Sequence, residues 1–476
     1  MRRAPLIPVA LAIMSGIAAQ HWLASAASWV WWALTLSAAV SVGILLVSKR
    51  KMSVLPTIIL ISLCVAGIGG TLGRRFDPQS NELHWTHQTA SEKAFLAAKL
   101  TEVPQPREWS WRAKARVESI DGRRTEGDIT LFFKKDSISG TLCYGDRLVI
   151  HGYPDLEKMR LYTTSDHYII TERDNRSLRA RSERLRMHLL HGMLNGPLGN
   201  REAGIAAAMT LGWKAGLEPE TRAAFRDAGV AHLLAVSGLH VGLAAAIAGL
   251  LFFWIPRTRQ GRIARGAIVF STVWGFTLLT GIAPSAMRAA LMFSLFIISD
   301  INERNTPKMN LLAAAAILTL IAKPMLLFDW GWQLSYAAVA GILLMRPIIN
   351  MSRNRLWQAA MVSIGATAAT LPITTAAFHT IQPYFLIANI VIVPLSGVIL
   401  ALALCHMAVP VPMTAWPLDK MLKGAEWLTA KVSELPSAVI ELEPTAGWVT
   451  LAIALATAAL LLGINCTMSR VSQPTD

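Results

Sequence analysis

The sequence predicts a polytopic α-helical membrane protein of about eleven spans, with one small extracytoplasmic β-barrel domain inserted after the third span. Three observations carry that prediction. Of 476 residues, 53% are hydrophobic and only 16% charged, a balance too apolar for one soluble globule. Apolar runs recur at the roughly 20-residue length that a helix needs to cross a hydrocarbon core of about 30 Å. Between the third and fourth runs the pattern changes to short alternating segments separated by turn residues.

The clearest apolar runs are Pro5–Leu23, Ser28–Val47, Val54–Leu72, His232–Trp254, Ala264–Gly281, Gly331–Met345, Trp357–Phe378, Tyr384–Met407 and Trp448–Ile464, with weaker ones at Ser285–Ile301 and Met309–Ala322. The first follows Met1-Arg2-Arg3 but has no small-x-small cleavage site before a polar stretch, so it reads as an uncleaved anchor. The formal charge of +15 is explained first by loops held on the cytoplasmic side. Placing Lys49-Arg50-Lys51, the loop of Arg257, Arg259, Arg262 and Arg265, and the loop of Arg353 and Arg355 inside requires a cytoplasmic N-terminus. It also puts residues 74–230 outside the bacterial cytoplasmic membrane. Arg74 and Arg75 fall on the wrong side, but they open a long domain, where the charge rule is weak.

Within residues 74–172, candidate strands are Phe95–Glu102, Trp109–Ile120, Gly127–Lys135, Arg147–Gly152 and His167–Thr171, with turns at Asp121-Gly122, Ser139-Gly140 and Tyr144-Gly145-Asp146. Five short strands suit an OB-like barrel, and a β-sandwich fragment fits the same count. The aromatics Trp109, Trp111, Phe132 and Phe133 lie close in sequence to Arg112, Lys114, Arg116, Lys134 and Lys135. Single-strand binders combine stacking platforms with cationic grooves in this way, which makes Trp109, Trp111, Lys114, Arg116, Lys134 and Lys135 candidate DNA contacts. The bland alternative is alternation itself, with half of the aromatics in the core and the cations on the wet face. Residues 173–230 form a connector whose Arg173–Leu194 stretch reads as a basic amphipathic helix for the membrane surface. Cys64, Cys143, Cys405 and Cys466 show no disulfide or metal-binding spacing and read as packing residues.

Polar residues inside spans are costly and mark functional positions when they sit at depth. Four clusters qualify. Residues 231–242 place Ser237 and Gly238 in the body of a span with His240 below, and His232 and His240, two turns apart, on similar faces. Residues 281–290 interrupt an apolar run at Gly281 and Pro284 just before Arg288, which either lines a path or snorkels to the interface. Asp329, Gln333 and Tyr336 follow at helical spacing, with Ser335 beside them. Last, Pro372 and Pro383 bracket a loop ahead of Asn389 and Pro394, where a kink is the plain reading. The pair Ser237 and His240 lacks an orienting carboxylate, and His84-x-x-His87 and His188-x-x-His191 lack a third ligand. No phosphate-binding loop occurs, and no catalytic group, metal or cofactor is expected.

At these clusters the sequence resembles the ComEC competence family, membrane channels through which transformable bacteria take in single-stranded DNA. The resemblance rests on His232-Leu233-Leu234-Ala235-Val236-Ser237-Gly238-Leu239-His240-Val241-Gly242, then Pro284-Ser285-Ala286-Met287-Arg288-Ala289, Gln333-Leu334-Ser335-Tyr336 and Asn389-Ile390-Val391-Ile392-Val393-Pro394-Leu395. It covers most of the chain and implies an N-terminal anchor at 1–73, the outer domain at 74–172, the connector, a channel core at 231–410 and an amphipathic segment with a last span at 411–476. It further implies single-stranded DNA and membrane lipids as partners. A cytoplasmic motor, a separate nuclease, a DNA receptor and a second copy of the chain join them. Translocation residues would be Ser237, Gly238, His240, Arg288, Gln333, Ser335, Asn389 and Pro394. Many members also carry a metallo-β-lactamase-like domain, whose His-x-His-x-Asp-His string does not occur here. The expectation is therefore a DNA channel without its own nuclease, with transport of another anionic envelope or lipid-linked substrate as the alternative.

Overall fold

The computed structural model describes residues 5–23, 54–78, 81, 83–88, 93–136, 138–174, 176–256, 258–303 and 306–443, with single positions 35, 456, 457, 459 and 463. Two predicted spans, Ser28–Val47 and Trp448–Ile464, lie outside these residues except for those single positions. The chain divides into two compact units, one of residues 20–27 and 73–191, the other of residues 1–19, 28–72 and 192–476.

The first unit is a curled, mostly antiparallel sheet. The N-terminal helices α1 (Leu6–Trp22) and α2 (Val54–Phe76) belong mostly to the other unit. After them and the single turn α3 (Trp85–Gln88), the strands are β1 (Ala94–Leu100), β2 (Gln105–Pro106), β3 (Ser110–Ile120), β4 (Arg123–Arg124), β5 (Asp128–Lys134), β6 (Arg147–Gly152), β7 (Arg160–Thr163) and β8 (Tyr168–Glu172). The main path runs β7-β5-β3-β1-β6-β8, and β5–β7 is its parallel pair. All five predicted strands are present. Strand β7 was not predicted, because four residues between Met159 (φ 46°) and a 3-10 turn are too few to show a period. Period-two alternation decides what is buried: Ala113, Ala115 and Val117 of β3 and Ile129, Leu131 and Phe133 of β5 point inward, joined by Leu96, Leu148, Ile150 and Leu161. At the predicted turn before β6, Gly145 takes φ 90° and the Asp146 carboxylate accepts the Cys143 amide at 2.9 Å. Burial pushes the Asp146 carboxyl up from its ordinary range.

Within the predicted basic helical stretch, α4 spans Leu178–Leu194 with Arg181 and Arg184 exposed, but its Arg186 is not on the wet face. It is buried 3.0 Å from Glu183, while Leu178 and Leu185 are exposed. Spacing three apart makes that pair, since i and i+3 are neighbours on a helix.

The second unit is helical. It contains α5 (Asn200–Leu211), α6 (Pro219–Asp227), a 3-10 turn at Ala231–Leu234, α7 (Gly238–Leu251), α8 (Arg259–Leu279), α9 (Pro284–Ile301), α10 (Lys308–Ala322), α11 (Trp330–Leu344), the single turn α12 (Arg346–Ile349), α13 (Arg355–Phe378), the strand β9 (Thr380–Ile381), α14 (Phe385–Ala408), α15 (Pro412–Ser433) and the strand β10 (Ile440–Glu441). Three of these, α9, α13 and α14, are long and apolar enough to cross a membrane, and α1, α7 and α10 are shorter apolar helices. Predicted apolar runs and observed helices agree to within a few residues from α8 to α14. Pro372 is an exception to the predicted bracketing, since it lies inside α13, and the loop begins only at His379, in the left-handed region at φ 54°.

Close approach of small residues seals the helix seams. A Cβ at Gly341 of α11 would fall 2.1 Å from the Gly365 carbonyl of α13. Van der Waals contact at such a seam replaces the hydrophobic drive that lipid does not supply. We expect Gly341→Leu to part α11 from α13 and abolish a monodisperse peak in fluorescence-detected size-exclusion chromatography. Gly275→Ala, where the new Cβ meets nothing within 4 Å, should leave that peak intact. In the sheet, Leu131 is fully buried, so Leu131→Ala should destabilise the unit by about 2–5 kcal/mol and Leu131→Met by less than about 1.5 kcal/mol. Faster proteolysis within the strands of the full chain reads that loss.

Candidate functional site

Two sets of residues carry chemistry, one in each unit. On the sheet, positions 112, 114 and 116 of β3 alternate with the buried Ala113, Ala115 and Val117, so Arg112, Lys114 and Arg116 form a cationic row. Register places Phe132 opposite Arg112, Thr130 opposite Lys114 and Asp128 opposite Arg116. Arg116 Nε lies 3.6 Å from Asp128 Oδ1, which leaves Lys114 the more available charge. Phe132 stacks on Tyr162 of β7 with ring centroids 4.7 Å apart and planes 17° apart, and the Arg160 guanidinium lies 5.6 Å from the Tyr162 centroid. This paired aromatic step beside a cationic row has the composition of a base-stacking platform.

The sequence-predicted contacts are only partly gathered there. Lys114 and Arg116 lie on the outward face, and Lys134 ends β5 with Lys135 just beyond, both exposed. Trp109 is 81% exposed in the connection leading into β3. Trp111 points the other way and packs against the sheet core, as an odd-numbered residue of β3 must. Sequence reasoning missed Tyr162 and Arg160, because both sit on the unpredicted strand β7. The one signal available was the run Arg160-Leu161-Tyr162-Thr163, an alternation four residues long.

In the helical unit, the predicted span His232–Trp254 is broken. The helix starts only at Gly238, after a 3-10 turn and extended backbone at Ala235 and Ser237. Ser237 is therefore the N-cap and not mid-span, and His240 is three residues into the helix end. The His240 Nδ1 lies 3.0 Å from the Ser237 amide and 2.9 Å from its hydroxyl. This reciprocal arrangement satisfies donors that a helix start leaves orphaned. His232 and His240 consequently do not share a helix. The His240 ring is 1% exposed, and its Nε2 has no hydrogen-bond partner.

Helix α9 packs on this broken start. A Cβ at Gly238 would meet Ala289 at 3.6 Å, and the Ser285 hydroxyl donates to the Val236 carbonyl. Gly281 and Ile282, both at positive φ, turn the chain from α8 into Pro284 at the first position of α9. Arg288 lies one turn further on, 3% exposed, so it does not snorkel outward. Its Nη2 donates to the Gly331 carbonyl at 2.9 Å, while its Nε is unpartnered. A Cβ at Gly331 would lie 3.1 Å from Asp329 Oδ1 and 3.9 Å from Arg288 Nη2, so a carboxylate and a guanidinium flank one glycine.

Asp329, Gln333 and Tyr336 do not act from one helix face, contrary to their spacing. Asp329 is the N-cap of α11 and accepts the Trp332 amide at 2.7 Å. Gln333 turns back to donate to the Leu327 carbonyl at 2.8 Å, and Tyr336 meets the Thr319 hydroxyl of α10 at 3.2 Å. Capping outranks helix continuation for Asp, whose side chain competes for nearby amides. Ser335 is half-buried on the same helix. Asn389 and Pro394 belong to α14; the Asn389 Oδ1 is buried without a partner, and Pro394 is exposed. The structure thus joins Ser237, Gly238, His240 and Arg288 through the starts of α7, α9 and α11, and no hydrogen bond among the described residues ties Asn389 to them. Among the described residues no three His, Cys, Asp or Glu side chains converge as metal ligands.

A family model described as "Competence protein" matches residues 209–466. ComE operon protein 3 of Bacillus subtilis (strain 168) is 29% identical over 301 residues, covering 61% of this chain and 38% of that protein. An uncharacterized protein of Aquifex aeolicus (strain VF5) is 30% identical over 182 residues, 38% of this chain and 42% of that one. The uncharacterized protein YcaI of Escherichia coli (strain K12) is 25% identical over 232 residues, 43% of this chain and 29% of that one. In each case the matched region is less than half of the relative's length. No solved structure matches the chain. Because the family model spans more than half of the chain and includes every residue of the broken-helix junction, the chain belongs to the Competence protein family.

Proposed function

We propose that the chain is a multi-pass channel of the bacterial cytoplasmic membrane for single-stranded DNA, acting in DNA uptake during competence. About eleven spans and a cytoplasmic N-terminus put the sheet outside, where it receives the strand. The observation that carries the proposal is the outward platform of Phe132 and Tyr162 with Arg112, Lys114 and Arg160, in a chain of the competence family. The sheet path supports an OB-like reading, because β1, β3, β5, β7 and β6 reproduce a five-stranded, partly open barrel with one parallel pair. In such barrels the exterior of the second and third strands binds oligonucleotides, which here is the face of β3 and β5. Trp109 then falls in the loop between the first and second strands, beside that face.

Chemically, phosphate neutralisation by Lys114, Lys134, Lys135 and the arginines supplies affinity, and ring stacking supplies sequence-tolerant grip. Downstream, Arg288 is a buried cation with an unused donor, suited to a phosphate oxygen passing the junction of α7, α9 and α11. Ser237, Gly238, His240, Gln333, Ser335, Asn389 and Pro394 complete the assignment, as residues that keep the helices broken or polar there. These residues include no nucleotide-binding loop, so the pull comes from a cytoplasmic motor. The proposal gives them conduction alone and assigns degradation of the other strand to a separate nuclease. A DNA receptor delivers the substrate, and a second copy of the chain is a candidate partner.

Deletion should abolish transformation by added DNA while sparing DNA binding at the cell surface; unchanged transformation rejects the channel. With purified full chain and a fluorescent oligothymidine, Phe132→Ala and Tyr162→Ala should each weaken binding by about 1–3 kcal/mol, roughly 5- to 150-fold. Trp111→Ala should act instead through stability of the sheet. The logarithm of the binding constant should fall linearly with log salt, at a slope near −0.7 per phosphate neutralised. An oligonucleotide that fails to bind at low salt would favour a different anionic substrate. Arg288→Ala, at unchanged protein level, should cut transformation at least about tenfold, whereas Gln333→Ala should act mainly through folding.

A further inference from the structure

Helix α15 carries Asp419, Lys420, Lys423, Glu426 and Lys431, and by composition it belongs at a membrane surface. Its ends say otherwise. At one end the Thr414 hydroxyl lies 2.8 Å from His406 Nδ1, in the last turn of α14. At the other, Tyr384 Oη donates to the Pro436 carbonyl at 3.0 Å, and β10 pairs with β9, with Ile440 opposite Ile381 just ahead of α14. The Leu442 amide closes the same end on the His379 carbonyl at 2.7 Å. Between these ties, the buried residues Ala415, Leu418, Leu422, Ala425, Thr429 and Val432 pack against α14, α5 and α6. Helix α15 therefore runs antiparallel to α14 over its whole length. The 24 residues of α14 extend about 36 Å and the 22 of α15 about 33 Å at 1.5 Å per residue.

The channel reading makes α14 a span, since it is long and apolar enough to cross a membrane. Helix α15, tied to it at both ends, then lies at the same depth, and so do α5 and α6, which the charge pattern of the loops had put outside. Its unpacked face is neither apolar nor neutral. Trp416 and Trp427, 69% and 64% exposed, lie eleven residues apart, which is close to three turns and so one face. Lys420 and Lys431 repeat the same interval, and Gly424 between them meets nothing within 4 Å. Lys423, at the helix middle, is held by Asp419 at 3.0 Å and lies 3.9 Å from Glu202. Lys431 has Glu434 at 2.6 Å, but Lys420 has no ion pair among the described residues. A lysine about 4 Å from the middle of a span is too deep for its head to reach the interface comfortably, so lipid is the wrong neighbour for this face.

We infer that the Trp416–Lys420–Gly424–Trp427–Lys431 stripe of α15 is a wall of the aqueous path at membrane depth and that its occupant is the phosphate backbone of a single strand, with its bases against the two tryptophans. The inference rests on the channel reading and names the lining of that channel. Two exposed rings separated by a bare glycine and flanked by cations match the stacking and phosphate chemistry of single-strand grooves.

The test uses the full chain in cells, with Cys64, Cys143, Cys405 and Cys466 replaced by Ser or Ala, probed with a membrane-impermeant thiosulfonate. Trp416→Cys, Lys420→Cys and Trp427→Cys should react and be protected by added single-stranded DNA, while Leu418→Cys and Leu422→Cys should stay silent. Lys420→Glu should lower transformation about tenfold at unchanged protein level, and Lys420→Arg should restore it. An unreactive Lys420→Cys overturns the inference whatever transformation does, as does a disulfide-linked dimer through that position, which would make the stripe an interface between copies. A reactive stripe with no protection by DNA and no effect of Lys420→Glu overturns the polyanion assignment. If Arg288→Ala still blocks transformation in that case, the channel itself stands, so failure of the lining and failure of the channel are told apart.

Discussion

The bond from Arg288 to the Gly331 carbonyl is the interaction on which the helical junction depends. A buried guanidinium needs acceptors at fixed positions, because several kcal/mol of desolvation are otherwise left unmet. Meeting that need constrains three helix starts together. A Cβ at position 331 would press on the Asp329 carboxylate and come within contact of Arg288, so glycine leaves the cap and the Arg288 bond undisturbed. Asp329 must cap α11, which brings a carboxylate beside the cation. Pro284 must open α9 one turn ahead, so that Ser285 reaches the Val236 carbonyl in the break before α7. Helix interruptions at depth are tolerated when protein groups answer the freed backbone, and here the hydroxyl of Ser285 and the His240–Ser237 box do so.

What the sequence disclosed follows from how strongly each residue's physics is local. Long apolar runs are local, and α8 to α14 appear close to where the hydropathy puts them. Alternation over seven to eleven residues is local too, so β1, β3 and β5 were legible with the faces of Lys114 and Phe133. Strand β7 was not, for its four residues are specified by parallel pairing with β5, a partner thirty positions back. Thus Phe132 was visible as an aromatic, but Tyr162 completes the platform only through tertiary pairing.

The same rule separates success from failure at the junction. Ser237, Gly238 and His240 were legible as an exceptional string, yet equal spacing of His232 and His240 suggested a continuous helix. The competition between helix continuation and capping is decided by Ser237, whose hydroxyl and amide both meet the His240 ring. Arg288 illustrates the converse. Its chemistry was plain, but whether it snorkels or is buried depends on Gly331, forty-three residues away.

Hydropathy is informative only where a helix is surrounded by lipid, and a helix that lines water at depth lacks that signature. Glycine contacts add a second, independent criterion. Where a Cβ would strike a neighbouring backbone, as at Gly341 against Gly365, the seam is closed and nothing passes. At Gly424 a Cβ would meet nothing within 4 Å, and on the channel reading that open surface beside Lys420 and Lys423 faces the path. Sealed seams hold α11 to α13, so the proposed path lies away from them. Helix α15, too polar to be a span on its own, is tied at both ends to the most apolar helix, and on the channel reading that pairing sets Lys420 at membrane depth with no ion-pair partner among the described residues.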